Sequence, residues 1–291
     1  MTRKDQIAST FMLLPVIIIF TTFFIAPLLY TAYFSFSDWN NYSPSVNLVG
    51  LKNYLAVFSD KQILIGIQNS LVYAICTVIL QNVISLPIAV LLCSKIPGRN
   101  IFRTIFFTPA VLSTLVVGYL FSFILSSQDF GLLNEFLNLL GLNSVNFLGD
   151  PRFALASIIG TQVWQWFGWS MVIYIANIQN IPTELYEAAD LDGANSMQKF
   201  FKITLPNLAP SLKINLITGM ISGLKVFDIV FSLTKGGPGY STETILSLMF
   251  SKFSEGNYAY AAAFGMVFLV VTMILTSIVM TIFRRWERTL A

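Results

Sequence analysis

Six stretches of the chain are predominantly apolar for long enough to cross a bilayer, whose hydrocarbon takes about 20 residues of helix at 1.5 Å per residue. They occupy residues 11–34, 71–93, 104–125, 153–176, 212–233 and 259–283. The alternation of a transmembrane barrel, with strands of about 10 residues and polar lumen-facing positions, does not occur in them. The first run is longer than the roughly 7–15-residue apolar core of a secretory signal and ends on Tyr33, Phe34 and Phe36. It reads as a retained span. The pattern predicts an all-α membrane protein of six transmembrane helices, one domain over 1–291, interrupted by long polar loops at 35–70 and 177–211.

Composition agrees: 55% of residues are hydrophobic and 11% charged, against about 25% charged in soluble domains. With the N-terminus inside, Arg3, Lys4, Lys95, Arg99, Arg103, Lys199, Lys202, Lys213, Arg284, Arg285 and Arg288 are cytoplasmic. Only Lys52, Lys61, Arg152, Lys235 and Lys252 fall outside. Positive charge is retained in cytoplasmic loops, so both termini are expected there. The net charge of +3 reflects this bias and gives no reason to expect nucleic-acid binding. The chain has no His, and its two cysteines, Cys76 and Cys93, sit on one span roughly 25 Å apart. A disulfide needs Cα atoms within about 7 Å, so they cannot pair, and a metal site built on His or Cys is excluded. No G-x-x-x-x-G-K-[ST] loop is present. Energy from ATP would have to come from another chain.

The inner loop, 177–211, carries helix punctuation. Pro182 suits a first helical turn, Glu184 and Glu187 stand near its positive end, and Gly193 is placed to stop it. Asn195 followed by Gln198 resembles a capping box for a second short helix, limited by Pro206 and Pro210. The expectation is a helix–glycine turn–helix element at the cytoplasmic surface. Leu185, Ala188, Ala189 and Asp192 share one face of its first helix, where small alanines admit another surface. Docking to a protein and resting on lipid headgroups are both open readings. Lipid-resting helices are usually rich in Lys and Arg, whereas 184–192 has four acids and no base.

The string E-A-A-D-L-D-G-A-N-S-M-Q-K-F-F-K-I-T-L-P-N-L-A-P at 187–210 resembles the EAA loop of ABC importer membrane subunits. G-L-K-N-Y at 50–54, F-F-T-P-A-V-L-S at 106–113, G-L-L-N at 131–134 and F-D-I-V-F-S-L-T-K-G-G-P at 227–238 resemble the branch that handles maltose-like oligosaccharides, raffinose-like sugars and glycerol phosphate. The resemblance implies a type I ABC importer fold in a bacterial cytoplasmic membrane. It also implies that Glu187, Ala188, Ala189, Asp192, Gly193 and Ala194 form a coupling helix seated on an ATPase, with Glu187 as an ionic contact and Gly193 as the bend. The implied partners are a second homologous membrane subunit, two copies of the ATPase, which binds ATP and Mg, and an external sugar-binding protein. This chain itself would need no cofactor and would catalyse no reaction. Unlike some maltose-type subunits it has no large extra outer domain, so the binding protein would meet short loops.

Trp164, Trp166 and Trp169 lie near the middle of the fourth run, where an interfacial aromatic belt does not reach. Gln162, Gln165, Trp166 and Trp169 follow i, i+3, i+4, i+7 spacing. Amides bond hydroxyls and rings stack on sugars, so this stripe is a candidate substrate path; helix packing accounts for the same residues. Lys225 and Asp228 are the charges well inside a span, three positions apart, as an ion pair on one helix face or as functional groups. Gly219, Ser222 and Gly223 before them permit close approach of a ligand or a helix. The Gly-Gly-Pro at 236–238 reads as a tight extracellular turn, since a phosphate-cradling loop lacks its strand and helix context. An ion-coupled secondary transporter, an importer of a non-sugar such as glycerol phosphate, and an intramembrane enzyme are the alternatives. The first usually shows inverted repeats and buried acids, the last a catalytic constellation.

Overall fold

A computed structural model describes residues 13–43, 45–94, 96–127 and 131–290, with side chains as far as 281. Arg3, Lys4 and Lys95 lie outside the described residues, and Arg284, Arg285 and Arg288 beyond the described side chains. The chain is helical, and its described residues hold one isolated bridge, between Ser37 and Leu48, and no strand. In order come α1 (Leu13–Phe34, with a π-helical turn at Thr21–Ile25), α2 (Lys52–Ser59), α3 (Lys61–Cys93) and α4 (Arg99–Phe107, prolonged by a 3₁₀ turn at Thr108–Val111). Next are α5 (Thr114–Ile124), α6 (Leu132–Leu139), α7 (Pro151–Ile178) and α8 (Thr183–Leu191). α9 starts at Ser196–Lys199 and runs on through a π-helical turn, Phe200–Thr204, and Leu205–Asn207. α10 (Ala209–Leu224), α11 (Asp228–Leu233), α12 (Ile245–Ser254) and α13 (Tyr258–Leu290) complete the series.

Three helices are long and apolar enough to cross a membrane: α1, α3 and the Tyr258–Thr281 part of α13. A fourth crossing arises if α4 and α5 count as one, but the expected straight helix over 104–125 is bent by 98° at Leu112–Ser113. α7 has the length but is diluted by two glutamines and three tryptophans. The expected helix over 212–233 is broken at Lys225–Phe227. The span count of six therefore does not follow from length and hydropathy alone.

The described chain separates into two compact units. One takes residues up to Lys61 with Met249–Val271. In it the Asn53 amide donates to the carbonyls of Ser35 (2.9 Å) and Ser37 (2.7 Å), and Asp38 accepts from the Asn47 backbone (2.6 Å) and side chain (3.1 Å). These two bonds hold the Asp38 carboxyl below its ordinary pKa. Trp39 packs between Phe34 and Tyr258, with ring centres 4.4 and 4.9 Å away.

The other unit, Gln62–Leu248 and Thr272 onward, holds the site. Tyr73, Val117, Ile158, Val163, Ile229 and Val230 form one core, and Met171, Tyr174 and Leu208 with Ala89 and Leu92 another. Lipid tails are as apolar as these side chains, so close packing and buried hydrogen bonds hold such helices together. Gly219 and Gly223 show how. A Cβ on Gly223 would stand 2.7 Å from Cα of Ala74, and one on Gly219 2.9 Å from Val78. The glycines of α10 thus seat it directly on α3.

Candidate functional site

Each break in a helix is held open by a side chain from elsewhere. The Gln165 amide of α7 donates to the Leu112 carbonyl (3.0 Å) and reaches the Thr114 hydroxyl (3.4 Å), satisfying the backbone where α4 gives way to α5. The Thr244 hydroxyl donates to the Val226 carbonyl (3.0 Å), freed where α10 gives way to α11. Beside these breaks is a cavity of about 230 Å³.

Its wall takes one face from each of several helices: Tyr73, Thr77 and Gln81 from α3, Gln162, Trp166, Trp169 and Ser170 from α7, and Asn215, Thr218, Gly219, Ser222 and Gly223 from α10. Thr114 and the segment from Lys225 to Ile229 close it. The Tyr73 hydroxyl, Gln162 Oε1 and the Trp166 indole N–H are buried without a hydrogen-bond partner among the described residues. Buried polar groups are normally satisfied, so three unmet groups on one wall mark a place where a polar ligand or water can bond. Trp169 is 50% exposed and meets Trp166 edge-on at 6.5 Å.

Of the nine residues singled out for a path, Gln162, Trp166, Trp169, Gly219, Ser222, Gly223, Lys225 and Asp228 line this cavity and Gln165 does not. Its side chain is wholly buried and serves the α4–α5 break. It lies a quarter-turn to the side of Trp166, which the i, i+3, i+4, i+7 pattern blurs. The expected ion pair between Lys225 and Asp228 is not formed. Lys225 caps α10 and Asp228 opens α11, so they share no helix face, and no salt bridge among the described residues includes either. Sequence reasoning missed Tyr73, Thr77 and Gln81, although their i, i+4, i+8 spacing in an apolar run was a readable signal. It also missed Asn215 and Thr218, which precede Gly219 and Ser222 on the same face of α10.

The second candidate region is the loop 177–211. Pro182 stands just before α8, and Gly193 follows it with φ of +73°. The Gly193 N–H donates to Asp190 O (3.1 Å) and the Ala194 N–H to Ala189 O (2.9 Å), the paired bonds of a Schellman stop. Asn195 and Gln198 form a reciprocal capping box, with bonds of 2.8 and 2.9 Å. The two prolines do not limit the second helix as expected: α9 continues past Pro206, and Pro210 sits in the first turn of α10. A Lys199–Asp190 salt bridge (2.6 Å) and a Tyr186–Thr204 hydroxyl bond (2.9 Å) tie α8 to α9. Glu187, Ala188, Asp192 and Gly193 are exposed, and Ala189 and Ala194 half-buried. Leu191 is 91% exposed, with Leu185, Met197 and Phe201 also exposed nearby in sequence.

Residues 81–288 match the family model of the binding-protein-dependent transport system inner membrane component. The chain belongs to this family. Membership makes it an integral protein of the inner membrane, and its fold is that of a type I ABC importer permease. It is 34% identical to a probable ABC transporter permease protein, YurN, of Bacillus subtilis, over 98% of both chains. It is 32% identical to the trehalose/maltose transport system permease protein MalF of Thermococcus litoralis (94% of this chain, 93% of that one). With the arabinooligosaccharides transport system permease protein AraP of Bacillus subtilis it shares 32% identity (91% and 84%). Among solved structures it superposes on a bacterial ABC transporter involved in the import of the acidic polysaccharide alginate. That match has a TM-score of 0.81 and 26% identity over 97% of this chain and 96% of that one.

Within this inner-membrane component, the Gly-Gly-Pro segment is a turn as expected. Gly236 and Gly239 take positive φ, the Thr242 hydroxyl donates to Gly237 O (2.6 Å), and Asn69 donates to the carbonyls of Tyr240 (3.2 Å) and Glu243 (2.9 Å).

Proposed function

We propose that this chain is the translocation subunit of an ATP-driven importer for a carbohydrate, an oligosaccharide above all, working by alternating access. The observation that carries the reading is the cavity wall, where Tyr73, Gln162 and Trp166 hold unmet polar atoms beside the half-exposed ring of Trp169. Hydroxyl-rich rings need donors and acceptors along their edges and an aromatic surface for their faces. Lys225 and Asp228 are the charges on this wall and offset one another, which favours a neutral sugar over glycerol phosphate. The names of similar proteins, which mention trehalose, maltose and arabinooligosaccharides, agree. At about 230 Å³ the cavity is smaller than the roughly 300–1,000 Å³ of most small-molecule sites, as expected of one half of a site shared with a second homologous subunit.

In this reading the chain acts as one permease domain of six crossings, α7 and the α10–α11 pair included, with both termini in the cytoplasm. The 177–211 loop docks on one of two ATPase copies, which bind ATP and Mg; the chain itself catalyses nothing. Support for docking lies in exposed Leu185, Leu191, Met197 and Phe201 around the acids Glu187 and Asp192. An external sugar-binding protein would deliver substrate to short outer loops such as the Gly-Gly-Pro turn. Purification of the tagged chain from its own bacterium tests the assembly. The wild type is expected to retain an ATPase and to take up a sugar in vesicles only with ATP inside and the binding protein outside. A stable chain that purifies alone and moves sugar down an ion gradient would refute it.

A further inference from the structure

The short helix α6 turns the wrong chemistry outward for an element bathed in water. Its inward side is pinned by Asn134, 3% exposed, whose amide donates to the carbonyls of Ser126 (3.0 Å) and Val145 (2.9 Å) and whose Oδ1 accepts from the Val145 N–H (2.8 Å). Its outward side is a stripe of Leu132, Phe136, Leu139 and Leu140, spaced i, i+4, i+7, i+8, all mostly exposed and Leu139 81% so. A surface helix of a globular protein does the reverse, turning its apolar stripe to the core and its polar side out.

We propose that α6 is an interfacial anchor, its outward stripe sunk among the acyl chains of the leaflet at the N-terminal end of α7. Continuity argues for lipid as the occupant. α6 packs on α5, which belongs to the bent pair whose two helices together are long and apolar enough to cross a membrane, and which exposes Leu115, Val116, Leu120 and Phe123. The stripe of α6 adds a second exposed apolar face on the helix packed against it. Charge argues the same way. From Gly131 to Gly149 the one charged residue is Glu135, so a charged protein surface finds little to pair with, and attachment rests on apolar area. α7, at 28 residues or about 42 Å, separates this leaflet from the end of the molecule that carries Glu187. The anchor fixes the depth of α5, and with it the break at Leu112–Ser113 beside the cavity. The inference rests on family membership and does not depend on which solute is carried.

Spin-label accessibility tests it. In a Cys76→Ser, Cys93→Ser background, Phe136→Cys, Leu139→Cys and Asn138→Cys are each labelled with a nitroxide. The complete transporter is then reconstituted into phosphatidylethanolamine–phosphatidylglycerol vesicles. At 136 and 139, dissolved oxygen is expected to relax the label several-fold more than a water-soluble nickel chelate, with the order reversed at 138. Free access of the chelate to all three positions would place α6 in water, and shielding of 136 and 139 from both reagents would place them under protein. Either result overturns the proposal.

Discussion

The cavity wall and the Glu187 loop are both incompletely satisfied, in opposite senses. On the wall the unmet groups are polar atoms inside an apolar unit: the Tyr73 hydroxyl, Gln162 Oε1 and the Trp166 N–H. In the loop the unmet groups are apolar side chains in the open, led by Leu191 at 91% exposure. Under the proposed function, a small hydroxylated solute would complete the first and a protein surface the second. Variants in the two regions should therefore fail differently, one in substrate affinity and the other in assembly.

The largest expected effect is in the loop. Gly193→Val forces a β-branched residue to φ of +73°, at a local cost of about 1–2 kcal/mol, and re-aims α8 relative to α9. The variant, with or without Glu187→Ala, should still reach the membrane yet lose the ATPase on co-purification and lose uptake entirely. Full retention of the ATPase would break the contrast between the regions. Next comes Trp166→Ala, which should keep the ATPase but raise the KM of uptake about tenfold, the worth of roughly one hydrogen bond or stacking contact. A KM unchanged in initial-rate assays would return Trp166 to packing.

The two regions also differ in how readable they are from sequence. The loop is built from local signals, so the glycine stop and the Asn195–Gln198 capping box follow from neighbours in sequence. Only the effect of Pro206 and Pro210 differs, because proline is tolerated in a first helical turn and in π-helical surroundings. The cavity depends on breaks that are satisfied from afar, although Pro109, in the 3₁₀ turn before Leu112, was a local signal for one of them. Leu112 is satisfied by Gln165, 53 positions away, and Val226 by Thr244, 18 positions away. Hence 104–125 and 212–233 look like plain helices in sequence, Lys225 and Asp228 look like a pair, and Gln165 looks like part of the path. Apolar α1 and α13 are the easiest to read, and no candidate site residue falls on either.

A smaller effect is expected at Asp150, which caps α7 and bonds the Arg152 guanidinium and N–H. Those bonds hold its carboxyl below the ordinary value of 3.8. Its stabilising effect is therefore complete above the unfolded-chain pKa and fades as pH falls through the lowered folded one. Asp150→Asn should lower Tm slightly at pH 7, and the gap to wild type should close below about pH 4. A gap that widens in acid would contradict this assignment.

The most direct test sets two amides one helical turn apart against each other. In the reconstituted transporter, Gln162→Ala should raise the KM for the sugar several-fold at nearly unchanged Tm. Gln165→Ala should leave KM alone and lower the melting temperature, because the Leu112 carbonyl loses its donor at a cost of about 1–3 kcal/mol. Unchanged KM in the Gln162 variant, or the two effects exchanged, would contradict the claim that this cavity meets the sugar.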